Sequence, residues 1–304
     1  QLVEISKALS SNCKVLILDE PTSALTDTEA DRLLKLLHRL ALEGVSILYI
    51  SHKLNEVFTL AHRITVLRDG RYIGTEKTAD VTPDQIIRMM VGRELGAMYP
   101  SKTNQVGSPL LEVQDLTLPN SKARNSFKLN QGEILGFAGL IGSGRSELAR
   151  SVFGADSKVA GRIFLNGSPV DFRSPQDAIK HGLGYLPEDR KAAGLFLEMS
   201  IRLNIEAAVI SKVSTNGFLS PTKERTLAER YVQQLAISTP GIEQEVRRLS
   251  GGNQQKTLVA KWLAIKPNIL IVDEPTRGID VGAKKEIHFL LRQLAESGVG
   301  IIII

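Results

Sequence analysis

Two pairs of adjacent carboxylates, Asp19-Glu20 and Asp273-Glu274, each close an apolar run ("VLIL" and "ILIV") and are each followed by Pro-Thr. A strand that finishes in Asp-Glu sets both acids at the C-terminal edge of a parallel sheet, where ligands bind in open α/β folds. Asp19 and Asp273 suit a Mg²⁺ ion reached through water, and Glu20 and Glu274 suit polarisation of an attacking water. A second constellation supplies the group to be attacked. The apolar strand 134–138 runs into Gly139-x4-Gly144-Arg145-Ser146 and then into a helix. Gly139, Gly142 and Gly144 allow the backbone N–H groups of the loop, Ser143 included, to turn inward beside the helix N-terminus and cradle an anion. Ser146 suits the metal. The usual lysine is replaced by Arg145, which keeps the charge but is forked and bulkier. Nucleotide binding is therefore expected at this loop more readily than hydrolysis.

Two further stretches belong with these. His52 follows the strand "ILYI" and is expected beside the first acidic edge, where it can sense a terminal phosphate and position water. "LSGGNQQK" (249–256) opens a helix. Ser250 can cap it, and Gly251 and Gly252 leave its positive end bare for an anion. The cap and the anion clamp are compatible readings, and spacing alone does not say whose phosphate is met.

The elements that position these groups form an internal repeat. Residues 14–50 align with 268–304 without a gap at an offset of 254. Both read as apolar strand, Asp-Glu-Pro-Thr turn, amphipathic helix, glycine stop and apolar strand. In the first copy, Thr26 and Glu29 form a capping-box pattern, Leu33, Leu36, Leu37 and Leu40 mark the inner face, and Gly44 ends the helix. Continuous apolar strands joined by helices predict a parallel sheet covered on both faces. Residues 202–242 read as a largely helical insert, and 183–196 as a strand followed by a charged loop. The expected organisation is a first α/β unit over 1–95, a turn-rich linker over 96–109 and a second unit over 110–304. The chain starts at Gln1 and stops in an isoleucine run, so both units are expected to be cut.

Bulk properties fit this reading. The 304 residues are 42% hydrophobic and 23% charged, as in globular chains of about two domains. The net charge of +5 is spread out, without a dense Lys/Arg block, so no nucleic-acid partner is expected. A single cysteine, Cys13, excludes an internal disulfide framework. No apolar run approaches the ~18–20 residues of a membrane span, and no signal-peptide pattern occurs.

The full motif set, "LSGGNQQK", two "DEPT" strands, "SALT" and "RGID" after them and "SH" after the first, resembles the ATP-binding-cassette ATPases. The resemblance covers essentially the whole chain. The tandem arrangement, "GLIGSGRSEL" and "LPEDRKAAGL" are similar to the ATPase subunits of bacterial ribose, galactose, arabinose and xylose importers. That resemblance implies the P-loop NTPase fold of the ABC cassette, with a helical subdomain, twice in tandem. ATP and Mg²⁺ are the implied cofactors. The implied partners are two membrane permease subunits and, indirectly, a periplasmic sugar-binding protein, with the ATPase peripheral on the cytoplasmic face. By position, Gly139–Ser146 corresponds to the Walker A loop, Asp19 and Asp273 to Walker B, Ser250–Gln254 to the signature and His52 to the switch histidine. Glu188 lies near the glutamine of the Q-loop. No aromatic occurs between Thr117 and Ala123, where an adenine-stacking ring is usual.

The family mechanism holds each ATP between one cassette's Walker loops and the other's signature. Ser250, Gly251, Gly252 and Gln254 then serve the site of Asp19, Glu20 and His52. Arg145, Asp273 and Glu274 belong to the other site. The expectation is that the first site hydrolyses and the second mainly binds, and that this chain alone is not a competent ATPase. The competing readings are a nucleoside importer, a soluble tandem ATPase of translation or DNA repair, and a non-catalytic nucleotide sensor.

Overall fold

The computed structural model describes Lys7 and residues 13–22, 25–51, 53–68, 70–91, 106–119, 121–140 and 142–304. The chain divides into two compact units, Gln1–Met98 and Tyr99–Ile304. The expected linker lies outside the described residues up to position 105.

In the first unit, β1 (Val15–Asp19), α1 (Asp27–Leu42) and β2 (Ser46–Ile50) form the anticipated strand–helix–strand. The strands pair in parallel from Val15↔Ser46 to Asp19↔Ile50. The capping box is present: the Glu29 amide donates to Thr26 Oγ1 at 3.4 Å, and the Thr26 amide donates to the Glu29 carboxylate at 2.9 Å. Of the leucines expected on the inner face, Leu33 and Leu37 are fully buried against Leu16 and Leu18, while Leu40 packs at the margin. Gly44 adopts φ +94° just past the helix, a conformation that favours glycine. Among the described residues only one face of this sheet is covered: Val15 and Ile17, on the other face, are 60% and 65% exposed. The unit continues with α2 (Leu54–Leu60), the antiparallel pair β3 (Arg63–Arg68) and β4 (Arg71–Lys77), and α3 (Pro83–Val91).

The second unit opens with β5 (Pro109–Thr117), β6 (Asn125–Asn130) and β7 (Ile134–Gly136), then α4 (Arg145–Val152). Next come β8 (Ala160–Leu165), β9 (Ser168–Val170), α5 (Pro175–Lys180) and β10 (Leu183–Leu186). A π-helical turn (Arg190–Gly194) replaces the expected loop. The insert follows as α6 (Ile201–Glu206), α7 (Ile210–Val213), a small hairpin β11 (Ser214–Thr215) and β12 (Phe218–Leu219), and α8 (Pro221–Gln234). The chain finishes with α9 (Gly251–Leu263), β13 (Ile269–Val272), α10 (Val281–Glu296) and β14 (Gly300–Ile303).

Two sheets organise this unit. One is parallel, in the order β10-β13-β14-β7; the other is antiparallel, in the order β6-β5-β8-β9, and was not anticipated from sequence. Ile269, Leu270, Ile271 and Val272 of β13 are all 0% exposed. Burying such side chains is worth about 1.5–3 kcal/mol each, so charge is tolerated only at the end of this strand. The repeat persists in the geometry. β13 and β14 pair from Ile269↔Gly300, and α10 spans 281–296, each 254 residues beyond its counterpart in the first unit.

Candidate functional site

The Gly-rich loop leaves β7 and enters α4. Gly142 and Gly144 have φ of +79° and +89°, open only to glycine at low cost. Gly139 is needed for a different reason: a Cβ there would stand 2.7 Å from Ser143 Oγ. The loop thus folds onto itself, and Ser143 occupies the space that Gly139 leaves. Gly144 caps α4 without a side-chain hydrogen bond, so the first-turn amides stay available to a ligand. Arg145 and Ser146 begin that turn and are half-buried. A cavity of about 650 Å³ opens beside the loop, lined by Gly142, Ser143, Gly144 and Glu147 and, opposite, by Leu118 and Pro119. That is within the roughly 300–1,000 Å³ range of small-molecule sites.

The second acidic edge lies in the same parallel sheet. β14 separates β13 from β7, so the Asp273 edge and the Gly-rich loop leave strand ends roughly 9–10 Å apart. Asp273 is 2% exposed, and Tyr185 of β10 donates its hydroxyl to Asp273 Oδ2 at 3.0 Å. A buried carboxylate needs such a donor. Burial and the Asp273 charge push the Tyr185 phenol far above its ordinary range, so it stays a donor. The Tyr185 ring stacks on Phe153 at 5.4 Å, and Trp262 of α9 meets Phe153 edge-on at 5.7 Å. Phe153 ends α4, so these aromatics fix the loop helix against the acidic edge.

Glu274 is half-exposed and has φ +42°, rare for a residue other than glycine. Its amide donates to the Ile304 carbonyl at 3.2 Å. Arg277 pairs with Glu188 and lies 4.0 Å from the Glu274 carboxylate. Among the described residues no cluster of three or more His, Cys, Asp or Glu could enclose a metal. Asp273 and Ser146 are nonetheless oxygen donors of the kind that Mg²⁺ takes, an ion that keeps most of its waters and leans on substrate oxygens.

In the first unit Asp19 ends β1 and Glu20 repeats the left-handed backbone, with φ +45° and its amide on the Ile50 carbonyl at 2.9 Å. His52 lies outside the described residues. Sequence reasoning missed Glu56 of α2, which is 8% exposed. Its carboxylate accepts hydroxyls from Thr22 (2.8 Å), Tyr49 (2.6 Å) and Ser51 (3.4 Å) and pairs with Lys53 at 3.2 Å. Burial pushes this acid up, but the bonds from Tyr49, Thr22 and Lys53 outweigh it and hold it below the usual range. Glu56 therefore ties the turn after Glu20 to the end of β2. No pattern in the sequence marks Glu56, because its burial and its partners arise only in the fold.

At the start of α9, Ser250 caps the helix by accepting the Asn253 amide at 3.4 Å. The glycines have packing roles besides. A Cβ on Gly251 would lie 3.0 Å from both the Arg190 guanidinium and the Gly278 carbonyl, and one on Gly252 would lie 2.8 Å from the Ala283 Cβ. Gln254 is buried, and its amide donates to the Val246 and Leu249 carbonyls at 3.2 and 3.3 Å.

Residues 123–277 match the family described as ABC transporter. The chain belongs to this family. It is 50% identical to the "Ribose import ATP-binding protein RbsA 2" of Rhizobium etli, over 100% of this chain and 61% of that protein. It is 51% identical to the "Putative ribose/galactose/methyl galactoside import ATP-binding protein 3" of Burkholderia cenocepacia, over 100% of this chain and 60% of the relative. The chain thus spans about 60% of the length of these relatives. Among solved structures, a nucleotide-free ATP-binding cassette from an ABC transporter is 19% identical with a TM-score of 0.53, covering 64% of this chain and 80% of that one. A dimeric cassette in a post-hydrolysis state with ADP and Pi is 21% identical with a TM-score of 0.53, covering 64% and 87%. At these identities the likeness is one of fold: the P-loop NTPase fold of the ABC cassette.

Proposed function

We propose that this chain is part of a tandem-cassette subunit that binds and hydrolyses ATP to power monosaccharide import through two membrane permease subunits. The subunit sits peripherally on the cytoplasmic face, and a periplasmic sugar-binding protein delivers the sugar. The observation that carries this reading is the likeness, near 50% identity over the whole chain, to proteins named for ribose and galactose import. The repeat at an offset of 254 supports two cassettes, 1–95 and 110–304, joined by 96–109.

In the second cassette, the amides of Gly139, Gly142, Ser143 and Gly144 and the charge of Arg145 hold the ATP phosphates. Ser146 and Asp273 would hold Mg²⁺, which would supply charge neutralisation for the phosphates. Glu274 accepts a hydrogen bond from the attacking water. Asp19, Glu20 and His52 take the corresponding roles in the first cassette, whose ATP is also met by Ser250, Gly251, Gly252 and Gln254. Leu118 and Pro119 offer the base an apolar wall in place of an aromatic ring. The first site hydrolyses and the second mainly binds, because Arg145 replaces the point charge of lysine with a planar fork.

The test uses the full-length protein assembled with its permeases, comparing ATP turnover of Glu20→Gln and Glu274→Gln. Loss in Glu20→Gln alone supports the assignment. Loss in both, or in Glu274→Gln alone, overturns the asymmetry.

A further inference from the structure

Arg190 has no place in the chemistry above, yet its side chain reaches three groups on two separate segments. Nη1 donates to the Arg277 carbonyl at 2.8 Å, Nη2 to the Gly278 carbonyl at 3.0 Å, and Nε lies 3.4 Å from Gln254 Oε1. The partners are 64 to 88 residues away in sequence. Local structure sets up each end of this contact. Asp189 caps the π-helical turn by accepting the Lys191 and Ala192 amides at 2.8 and 3.0 Å, which fixes the backbone that carries Arg190. Gly278 has φ +64°, a turn conformation in which successive carbonyls can face one donor fork. Gly251 leaves the space that the guanidinium fills, since a Cβ there would stand 3.0 Å from Nη2. A planar fork can bridge two carbonyls and still touch a third group, whereas a lysine ammonium acts as a single point.

The bridged segments are the turn that brings Arg277 beside Glu274 and the helix end that presents Ser250. We propose that Arg190 is a positioning residue that locks the Glu274 turn to the Ser250 end of α9, so that occupancy of one is transmitted to the other. Under the function proposed above, these two ends serve different ATP molecules, and Arg190 is then a physical link between the two nucleotide sites. That consequence rests on the proposed function; the lock itself does not.

The two ideas are separable by amide hydrogen exchange on this chain. Residues 277 and 278 are exposed, so their carbonyls recover water when the guanidinium is lost, and global stability should hardly move. Position should suffer instead. A hydrogen bond from a charged donor restrains its partner by roughly tenfold or more. Without nucleotide, Arg190→Ala is expected to raise exchange about tenfold at 274–283 and at 250–255 together, with the melting temperature nearly unchanged. Arg190→Lys should fall between wild type and alanine. Unchanged exchange at either segment, or a uniform rise with a large fall in melting temperature, overturns the lock. With Mg·ADP, the wild type should gain protection at 139–148, 274–283 and 250–255, and Arg190→Ala should lose the gain at 250–255 only. Protection at 250–255 that survives in Arg190→Ala overturns the transmission. Wild-type protein that gains no protection at 139–148 sinks the nucleotide reading and leaves the ligand-free result to decide the lock. If the alanine variant fails to fold, Arg190→Gln, which keeps one donor group, replaces it with the same expectations.

Discussion

Gly252→Ala sets two opposed effects against each other. Alanine is the better helix former, and in α9 the exchange gains at most ~1 kcal/mol. Against this, the new methyl would stand 2.8 Å from the Ala283 Cβ, roughly 1 Å inside an ordinary carbon–carbon contact. Neither carbon sits on a flexible side chain, so the first turn of α9 must move away from α10. Overpacking of this kind costs ~1–3 kcal/mol. The net effect is a loss of about 0–2 kcal/mol, or a few degrees in melting temperature at ~2–4 °C per kcal/mol. The larger effect is on position. Displacing the Ser250 end by about 1 Å can cost around a hundredfold in rate when that end orients a reacting phosphate. Gly241→Ala is the control, because a Cβ there meets nothing within 4 Å. Thermal melting, together with steady-state ATP turnover of the full-length protein with its permeases, checks both numbers. A melting temperature that rises, with turnover as in wild type, would refute the reasoning, since helix propensity would then have outweighed the contact.

Two further changes probe the supports of the second unit. Tyr185→Phe removes the phenol that donates to the buried Asp273 carboxylate at 3.0 Å, and urea unfolding should show a loss of about 1–3 kcal/mol; a loss below ~0.5 kcal/mol would mean that another donor replaces it. Burial first, then the nearby Glu224 charge, raise Glu206 from 4.5 to about 7, although Arg202 opposes them. The folded state therefore favours the protonated acid: its stabilising contribution is complete below about 4.5 and is lost as pH rises through about 7. The wild-type melting temperature should fall from pH 5 to pH 8 and Glu206→Gln should flatten that slope; a wild-type melt that is level across this range contradicts the reading.

What could be read from sequence was what is local. β13 and β14 announce themselves because a run that is apolar on every residue favours burial and the charges follow its end, and the Gly-rich loop because its glycines and the helix start lie within a few residues of each other. The capping box at Thr26 and Glu29 is likewise a contact three residues long. The antiparallel sheet is not local: β5 mostly alternates buried with half-buried residues, and its partners, such as Leu165 opposite Leu111, are set by tertiary pairing. Within the insert a signal was present and went unread. Asn216-Gly217 have φ of 51° and 84°, the Asn-Gly turn that marks a short hairpin, inside a stretch expected to be helical. Arg190 was invisible for a simpler reason, since its partners lie 64 to 88 residues away; Glu56 was invisible because its tie to Thr22 spans 34 residues, and its nearer bonds to Tyr49 and Ser51 form only once β2 and α2 pack.

The two acidic edges are closer in form than their surroundings. Glu20 and Glu274 have φ of 45° and 42°, and each donates its amide to the strand alongside, at Ile50 and Ile304. A left-handed backbone at a glutamate costs about 1–2 kcal/mol, which a glycine would have avoided, so the fold retains the same strain twice at the residue proposed to meet the attacking water. The two edges therefore share the backbone that presents these acids. Each following turn is also held by a side chain remote in sequence. Glu56, a buried acid, draws the first turn in through the Thr22 hydroxyl. Arg190, a cation, holds the second by the Arg277 and Gly278 carbonyls and reaches Gln254 of α9 with the same fork. A strained backbone kept in place by a charged side chain is thus the arrangement at both edges, and loss of either anchor should loosen the turn before it unfolds the strand.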